Sequence, residues 1–336
     1  MSQRAAYGAG IVHFGSDPGL AACLASLRAQ TAPPAALVVI DHDPLDPADA
    51  GRAALRAAHP EVEWIHAPNG GYAGGANRAI AHLQARAPEI EFLLVLNPDV
   101  ALEPTFAATL LDALEPRPEV ALASGKLLRP GGEQIDSAGI ERRRSRRYRD
   151  RGSEAPDDGR HDAVESVFAL SGAALFLRRS ALASLCIEGE LFDEDFFAYH
   201  EDTDLAWRAA QLGWDRLYVP AARAIHVRGW RRGERRGRSE AIRRHSFKNR
   251  YLELVKNERP LALLRDLPFI LPVEIARLAF ALFFEPRLLG AYREALRLAP
   301  RAYRKRRALQ RQCVRGVAAP GGAPAIQAGV RLAEGG

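Results

Sequence analysis

The chain has 336 residues, of which 47% are hydrophobic and 26% are charged, a composition typical of a globular protein with a substantial core. Its formal net charge is +6, and its three widely separated cysteines exclude a disulfide framework or a cysteine zinc site, which favours a reducing, cytoplasmic compartment. The first ten residues lack the apolar core of a signal peptide, and no uncharged apolar run approaches the ~20 residues of a spanning helix.

Strand and helix patterns alternate along the first hundred residues. Apolar runs predict strands at 8–14, 36–40, 62–66 and 93–96, and helical spacing predicts helices at 20–30, 48–58 and 78–86. Further strands are predicted at 120–129, 217–220 and 224–227. Strands that alternate with helices through short links indicate an α/β fold with a mostly parallel central sheet.

The 93–96 strand ends at Asn97-Pro98-Asp99, because proline cannot donate to the hydrogen-bond ladder and restricts the residue before it. In an open parallel sheet, ligands bind outside the carboxyl ends of the strands. Asp99 at such a position could hold a divalent cation, and the cation could hold a diphosphate. The alternative is a simple turn followed by a helix cap, which the same residues also favour.

Two segments rich in small residues flank this strand. Residues 68–77 form a glycine-rich loop ahead of the predicted 78–86 helix, without the spacing of a dinucleotide-binding fingerprint. Its glycines either form a tight turn or let the backbone approach a ligand or another loop closely. Residues 168–179 are a loop of small residues that enters a buried strand and leaves room for a sugar. The arginine-rich residues 141–151 predict either a solvated loop or one that folds over an anionic ligand.

Acidic and aromatic residues interleave over 192–208, and the following helix is expected to begin near Glu201-Asp202. Carboxylates in a first helical turn are stabilised by the helix dipole, so they are either caps or functional groups. A general base requires a carboxylate held close to a substrate hydroxyl in a site that excludes water. His226, after the last predicted strand, is either structural or a second metal ligand, since Asp99 cannot hold a cation alone.

Taken in order, these segments resemble family 2 glycosyltransferases with the GT-A fold, and most closely their bacterial rhamnosyltransferase-like branch. The resemblance covers roughly residues 8–260 and rests on residues 69–77, 96–99, 171–174, 192–199, 201–208 and 226. It implies an inverting transfer of a sugar from a nucleotide-diphosphate donor, dTDP-rhamnose or a UDP-sugar. The implied acceptor is a glycan or a lipid-linked glycan in cell-surface polysaccharide synthesis.

The resemblance also implies roles for single residues. Asp99 and His226 would hold Mg²⁺ or Mn²⁺, and Asp202 would be the catalytic base, with Glu201 and Asp204 as the alternatives. Donor contacts are expected from Asp41, Asn69, Gly70, Gly74, Asn77, Asn97 and Asp99, and a pocket for the acceptor or sugar from Ser171, Gly172, Tyr199 and Asp204. The chain departs from the family pattern at Asn97, in place of the first acid of Asp-x-Asp, and at Gly15 and His42, in place of two asparagines.

Other classes of protein fit the sequence less well. A sugar-phosphate nucleotidyltransferase is also α/β and metal-dependent, but it needs a glycine-rich basic loop after the first strand, where this chain has residues 13–18. A non-catalytic member of the family is disfavoured because Asp99, Asp202 and His226 are all retained. No nucleic-acid module is recognisable, so no nucleic-acid partner is expected.

The domain organisation predicted from composition is a catalytic domain at 1–258, a helical, amphipathic and basic extension at 259–315, and a disordered tail at 316–336 rich in Gly, Ala and Pro. Residues 261–284 are apolar but interrupted by prolines and charges, and 288–309 are helical and arginine-rich. One interpretation is a peripheral contact with the anionic inner face of a membrane. The other is a helical appendage packed on the catalytic domain.

Overall fold

The computed structural model describes residues 5–15, 19–43, 49–228 and 240–314, so the predicted disordered tail lies outside the described residues. The strands in these ranges are β1 (Tyr7–His13), β2 (Ala36–Asp41), β3 (Glu63–His66), β4 (Phe92–Leu96), β5 (Val100–Leu102), β6 (Val120–Leu128), β7 (Ile135–Ser137), β8 (Ile140–Arg142), β9 (Tyr148–Asp150), β10 (Glu165–Ser166), β11 (Ala174–Arg178) and β12 (Asp215–His226). The helices are α1 (Gly19–Arg28), α2 (Ala50–Ala58), α3 (Gly71–Arg86), α4 (Phe106–Leu114), α5 (Arg179–Leu185), α6 (Glu201–Gln211), α7 (Glu240–Asn257), α8 (Pro260–Phe283) and α9 (Leu289–Val314).

The central sheet has the order β10-β12-β6-β11-β4-β1-β2-β3, with β5 paired to β12 and β7 to β6. Strands β4, β1, β2 and β3 are parallel, as predicted, and the antiparallel β11 separates them from the parallel pair β6 and β12. The two short strands predicted at 217–220 and 224–227 are one strand, β12, whose register shifts between Val219 and Arg223. The fold is the predicted α/β fold, with a mostly parallel mixed sheet flanked by helices and followed by a helical C-terminal region.

Strand β4 shows why the sheet is buried on both faces. Successive side chains of a strand point to opposite faces, and those of β4 enter two different hydrophobic clusters. Leu93 and Val95 belong to the cluster that contains α3, α5 and α6, whereas Phe92, Leu94 and Leu96 belong to the cluster that contains α1 and α4. All five side chains are buried, which explains the continuous apolar run in the sequence.

The glycine-rich segment was predicted to be a loop up to residue 77, but it is helical from Gly71, where α3 begins. Gly71 has a φ of 70°, and a Cβ there would collide with the carbonyl oxygen of Phe197. A Cβ on Gly75 would lie 2.5 Å from Cγ1 of Val12 on β1. The glycines therefore serve the close approach of α3 to another loop and to the sheet.

The arginine-rich residues 141–151 form the β8–β9 hairpin rather than a solvated loop. Arg146, in its turn, is 2% exposed and pairs with Glu258 and, at 2.8 Å, with Asp266 on α8. The hairpin could not be predicted from the sequence, because the carboxylates that stabilise Arg146 lie more than a hundred residues further along the chain. A buried charge is tolerated when it is paired in this way.

Helix α9 packs against α7, and its basic residues contact the domain. Lys305 is 1% exposed, and its Nζ lies 2.6 Å from Asp193 and 2.8 Å from Glu190. Arg301 and Arg304 pair with Asp195 and Glu188, so these cations stabilise the docking of α9. No single helix in the described ranges is both long and apolar enough to span a bilayer. Helix α8 and the segment 286–314 meet that criterion only together, across a bend of 120°.

Candidate active site

A cavity of about 500 Å³ opens where β4 ends and the antiparallel β11 begins. This is the edge of the sheet at which ligands bind in open α/β folds. The lining residues come from several of the segments singled out in the sequence, and the glycine-rich segment contributes only Tyr72. They are Tyr72, Asn97, Asp99, Ile140, Asp150, Ser171, Gly172, Ala173, Ala198, Tyr199, His200, Glu201, Asp202, His226 and Arg228.

Asp99 and His226 meet on one side of this cavity, as predicted from the need for a second ligand. The register of the sheet brings them together, because His226 on β12 pairs with Val100 on β5, the residue after Asp99. Nε2 of His226 lies 3.4 Å from Oδ1 of Asp99. Nδ1 of His226 lies 2.7 Å from Oδ2 of Asp136, a fully buried residue of β7.

The Asp136–His226–Asp99 arrangement has the chemistry of a divalent-metal site. A metal-binding histidine usually donates a hydrogen bond from its second ring N–H to a carboxylate, which fixes the ring orientation and the tautomer. Burial opposes protonation of His226, but the hydrogen bonds to Asp136 and Asp99 raise its pKa to about 9. The ring is thus held between two carboxylates, with Nε2 directed at Asp99. Asp99 and His226 fit a cation such as Mg²⁺ or Mn²⁺ that displaces the Nε2 proton, because histidine binds metal through an unprotonated nitrogen.

Glu201 and Asp202 line the cavity from the first turn of α6, where carboxylates benefit from the helix dipole. The Asp202 carboxylate accepts hydrogen bonds from the Gly172 amide at 3.1 Å and from the Thr203 amide at 2.7 Å. Burial raises the pKa of Asp202, although these two hydrogen bonds oppose the shift. The carboxylate is therefore fixed in position and more basic than an ordinary aspartate, as a general base requires.

Glu201 is only 7% exposed, and its Oε2 is buried without a hydrogen-bond partner in the described part of the chain. Burial, and then the neighbouring Asp202, raise its pKa well above the usual value. Tyr72 faces the same corner and donates from its hydroxyl to the Gly172 carbonyl at 2.5 Å. The two carboxyl groups therefore sit in different environments. Asp202 is held by the Gly172 and Thr203 amides, whereas Oε2 of Glu201 is buried without a partner among the described residues.

Asp204, which the resemblance assigns to the sugar pocket, lies outside the cavity and is fully buried. Its carboxylate accepts hydrogen bonds from Arg208 at 3.0 Å, Lys256 at 2.8 Å and Asn257 at 2.7 Å. Asp204 is two positions from Asp202 in α6, about 200° around the helix axis, so the two side chains point to different sides of the helix. The structure thus gives Asp204 a part in packing α7 on α6, and this corrects the assignment to the pocket and as an alternative base.

Asp41 also lies outside this cavity, at the carboxyl end of β2. It is fully buried, and its Oδ1 lies 3.3 Å from Nδ1 of His13. His13, Asp41 and Asp43 are close enough to share an ion, since their candidate ligand atoms lie within 4.8 Å of one another. The guanidinium groups of Arg52 and Arg56 already pair with the carboxylates of Asp41 and Asp43, so arginine side chains supply the positive charge that balances these two acids.

The donor residues expected in the glycine-rich segment have structural partners. Oδ1 of Asn69 accepts a hydrogen bond from the Gly71 amide, and Asn77 donates to the Phe192 carbonyl at 2.8 Å. Gly70 and Gly74 face each other and the Arg78 side chain across the first turn of α3. These four residues lie outside the cavity, whereas Asn97 lines it beside Asp99.

Three lining or supporting residues were missed in the sequence: Asp136, Asp150 and Arg228. Arg228 bridges the two acids, with its Nε 3.2 Å from Asp136 and its Nη1 3.1 Å from Asp150. The only available signal was a single acid in Ile135-Asp136-Ser137-Ala138, a pattern that also occurs on solvent-facing strands. A sequence alone does not reveal that β7 and the β8–β9 hairpin return to the end of β12.

The fold is the GT-A fold, which this chain shares with solved glycosyltransferases. Similar solved structures include GalNAc-T7 with UDP, GalNAc and Mn²⁺, at a TM-score of 0.55 and 16% identity, covering 76% of this chain and 48% of that protein, which is about half its length. The mannosyltransferase PcManGT from Pyrobaculum calidifontis, in complex with GDP-Man and Mn²⁺, aligns with a TM-score of 0.52 and 17% identity over 94% of this chain and 88% of that protein.

The model of glycosyl transferase family 2 matches residues 9–176. A protein of Mycobacterium tuberculosis, N-acetylglucosaminyl-diphospho-decaprenol L-rhamnosyltransferase, is 32% identical over 241 residues, which cover 64% of this chain and 74% of that protein. The chain belongs to glycosyl transferase family 2 and is similar to its rhamnosyltransferases, as the sequence motifs predict.

Proposed function

We propose that this glycosyltransferase transfers rhamnose from dTDP-rhamnose to a lipid-linked glycan, with inversion at the anomeric carbon. The proposal rests on one observation: the same cavity is lined by two pairs of residues, Asp99 with His226 and Glu201 with Asp202. The first pair suits a diphosphate-bound cation, and the second suits a base. The choice of sugar and acceptor is supported by the name of the 32% identical relative.

Asp202 is proposed as the general base. Its carboxylate is fixed by the Gly172 and Thr203 amides and would take the proton of the acceptor hydroxyl. The hydroxyl oxygen then bonds to the anomeric carbon from the face opposite the diphosphate, and the bond from that carbon to the diphosphate breaks. Ser171, Gly172 and Tyr199 line the same cavity and are proposed to shape the pocket for the sugar and acceptor.

Asp99 and His226 are proposed to hold Mg²⁺ or Mn²⁺, oriented by Asp136. When bound, the cation would supply positive charge to the departing nucleoside diphosphate. Asn97 is proposed to contact the donor beside Asp99, and Asp41 to lie on its nucleotide side.

A donor screen tests this proposal. Thermal unfolding in Mn²⁺ is compared for dTDP-rhamnose, UDP-glucose, UDP-galactose and GDP-mannose, because a ligand that binds only the native state raises its stability by mass action. We expect the largest shift with dTDP-rhamnose and its loss in Asp99→Asn. A larger shift with another donor would overturn the rhamnose assignment, and no metal-dependent shift with any donor would overturn the metal site.

We further propose that the enzyme works in the cytoplasm, peripherally at the inner membrane face, and that α8 makes the contact. Its acidic residues turn towards the protein, where Asp266 pairs with Arg146 and Glu274 with Arg250. Its outward face instead carries exposed apolar side chains every three or four residues: Leu261, Leu264, Leu267, Leu271, Ile275, Leu278 and Leu282. Soluble proteins rarely expose a contiguous apolar stripe of this length.

Charge around α8 favours an anionic lipid surface over a second protein. The four acidic residues of 259–314 are buried or half-buried and ion-paired, whereas exposed arginines occur at 259, 265, 287, 293 and 297. An amphipathic helix in the headgroup region combines apolar burial with attraction of this kind.

Vesicle co-sedimentation tests the membrane proposal. The full chain should sediment with vesicles of phosphatidylglycerol and phosphatidylcholine, and Leu271→Glu with Ile275→Glu should abolish this. Val164→Glu, on another exposed apolar residue outside α8, is the matched control and should sediment like the parent chain. Equal sedimentation of both variants would refute the assignment to α8, and self-association without vesicle binding would assign the stripe to a second copy.

A further inference from the structure

The backbone immediately before Glu201 and Asp202 is strained. Phe197, Tyr199 and His200 have φ values of 66°, 71° and 72°, in the left-handed region that residues with side chains rarely adopt. Phe197, with a ψ of −64°, is the centre of a γ-turn in which the Ala198 amide donates to the Phe196 carbonyl at 2.8 Å. Conformations of this kind persist only where the surrounding structure enforces them, and they cluster at functional sites.

One side chain binds three carbonyl groups of this segment. Nδ2 of Asn249, on α7, donates to the carbonyl oxygens of Phe196 at 2.9 Å, Ala198 at 2.9 Å and Tyr199 at 2.7 Å. Asn249 is fully buried, so these bonds form away from water. An oxygen in place of Nδ2 would face three carbonyl oxygens, and the partners therefore fix the orientation of the amide.

Neighbouring groups complete the support of residues 196–200. On the α3 side, the Ala73 amide donates to the Phe197 carbonyl at 3.0 Å, and Gly71 leaves room for that carbonyl. On the α7 side, Nδ1 of His200 lies 2.7 Å from Oε2 of the buried Glu253. Asn249 is nevertheless the group that binds both residues flanking the γ-turn centre and Tyr199 beyond it.

The segment is directly connected to the carboxylates of the cavity. Ala198, Tyr199 and His200 line the cavity themselves. The His200 carbonyl accepts the first hydrogen bonds of α6, from the Asp204 amide at 2.9 Å and the Thr203 hydroxyl at 3.2 Å. A shift of residues 198–200 would therefore move the first turn of α6, and Asp202 with it.

We propose that Asn249 is a positioning residue for the transfer reaction: it holds residues 196–200 in their strained conformation and thereby sets the Asp202 carboxylate against the acceptor hydroxyl. The inference rests on the proposed role of Asp202. It assigns a role in the reaction to α7, which lies beyond the residues 9–176 matched by the family model. Asp99 and His226 are positioned by β4, β5 and β12, so the effect of Asn249 should fall on turnover and not on binding of the metal ion and the nucleoside diphosphate.

Asn249→Ala and Asn249→Asp test the inference, because both remove the amide donor and the second keeps the shape of the side chain. Turnover is followed as dTDP release from dTDP-rhamnose with N-acetylglucosaminyl diphosphopolyprenol as the probe acceptor. We expect kcat to fall about 10- to 100-fold, since a misplacement of ~1 Å has effects of this size. The dissociation constants for Mn²⁺ and dTDP should stay within twofold of the parent values.

Asn257→Ala is the matched control. Asn257 is a buried asparagine on the same helix, but its amide donates to Asp204 and to the Glu253 carbonyl and not to residues 196–200. It should lower thermal stability while kcat stays within about threefold. Asn249→Ser, which retains one hydroxyl donor, replaces Asn249→Ala in the comparison if the alanine variant does not fold.

Parent-like kcat in the Asn249 variants, or a loss of kcat that tracks lost stability equally in the variants of Asn249 and Asn257, would overturn the inference. Asp202→Asn, measured in parallel, separates this outcome from failure of the proposed function. If Asp202→Asn is inactive and Asn249→Ala is fully active, only the positioning role is wrong. If Asp202→Asn keeps full turnover, the assignment of the base is wrong.

Discussion

Replacing Asp136 by asparagine removes one negative charge from the support of His226 and leaves the shape of the site nearly unchanged. The native carboxylate is fully buried, 2.7 Å from Nδ1 of His226 and 3.2 Å from Nε of Arg228. Hydrogen bonds to charged groups contribute about 1.5–3 kcal/mol each, and asparagine retains a neutral acceptor. We therefore expect a loss near the lower part of that range.

That loss corresponds to about a 10- to 30-fold weaker affinity for Mn²⁺, which lies within the range of about 10- to 100-fold usual for carboxylates behind a metal-binding histidine. The assay is a Mn²⁺ titration followed by electron paramagnetic resonance with dTDP present, so that binding is measured without turnover. Asp157→Asn is the matched control, because Asp157 pairs with Lys126 and Arg223 and lies outside the cavity. Affinity within twofold of the parent in Asp136→Asn, or an equal loss in Asp157→Asn, would refute the reasoning.

Three further predictions concern stability and pH. Lys305→Met should lower the free energy of unfolding by about 3 kcal/mol in urea, because Asp193 loses one of its two buried cations; no change would show that α9 does not depend on this ion pair. Gly71→Ala should destabilise by about 1–3 kcal/mol, whereas Gly51→Ala in α2 should be neutral or stabilising; equal effects would contradict the close approach to Phe197. Burial raises the pKa of Asp202, and a general base must be ionised, so kcat/KM should begin to fall with decreasing pH before the pH reaches the pKa of an ordinary aspartate. A pH profile of kcat/KM that stays flat down to that pKa would contradict the role of Asp202.

Much of the fold could be predicted because local patterns and the final structure agree. The apolar run of β4 is buried on both faces, and the alternation of strands and helices gives a mostly parallel sheet. The glycine-rich segment was harder, because glycine is read as a loop former in sequence. The helix there begins at Gly71, whose glycine is needed for contact with Phe197, a residue more than a hundred positions away.

The site could be predicted where one motif supplies one residue, as for Asp99, Asp202 and His226, all of which line the cavity. It could not be predicted where the structure depends on tertiary pairing. Asp136 reaches His226 only through the pairing of β7 with β6, and Asp204 is turned from the cavity by its ion pair with Lys256. In both pairs the two residues are far apart in the sequence, so the spacing of residues in the sequence does not predict either contact.

The most direct test of the central claim compares Asp202→Asn with Glu201→Gln for donor binding and for turnover. The account predicts that Asp202→Asn binds dTDP-rhamnose and Mn²⁺ like the parent chain while kcat falls about 10²- to 10⁴-fold, the usual contribution of a general base. Glu201→Gln should retain more activity, because burial disfavours the charged form of Glu201 and raises its pKa, so the neutral amide changes that site less. Undiminished turnover in Asp202→Asn, or the larger loss in Glu201→Gln, would contradict the account.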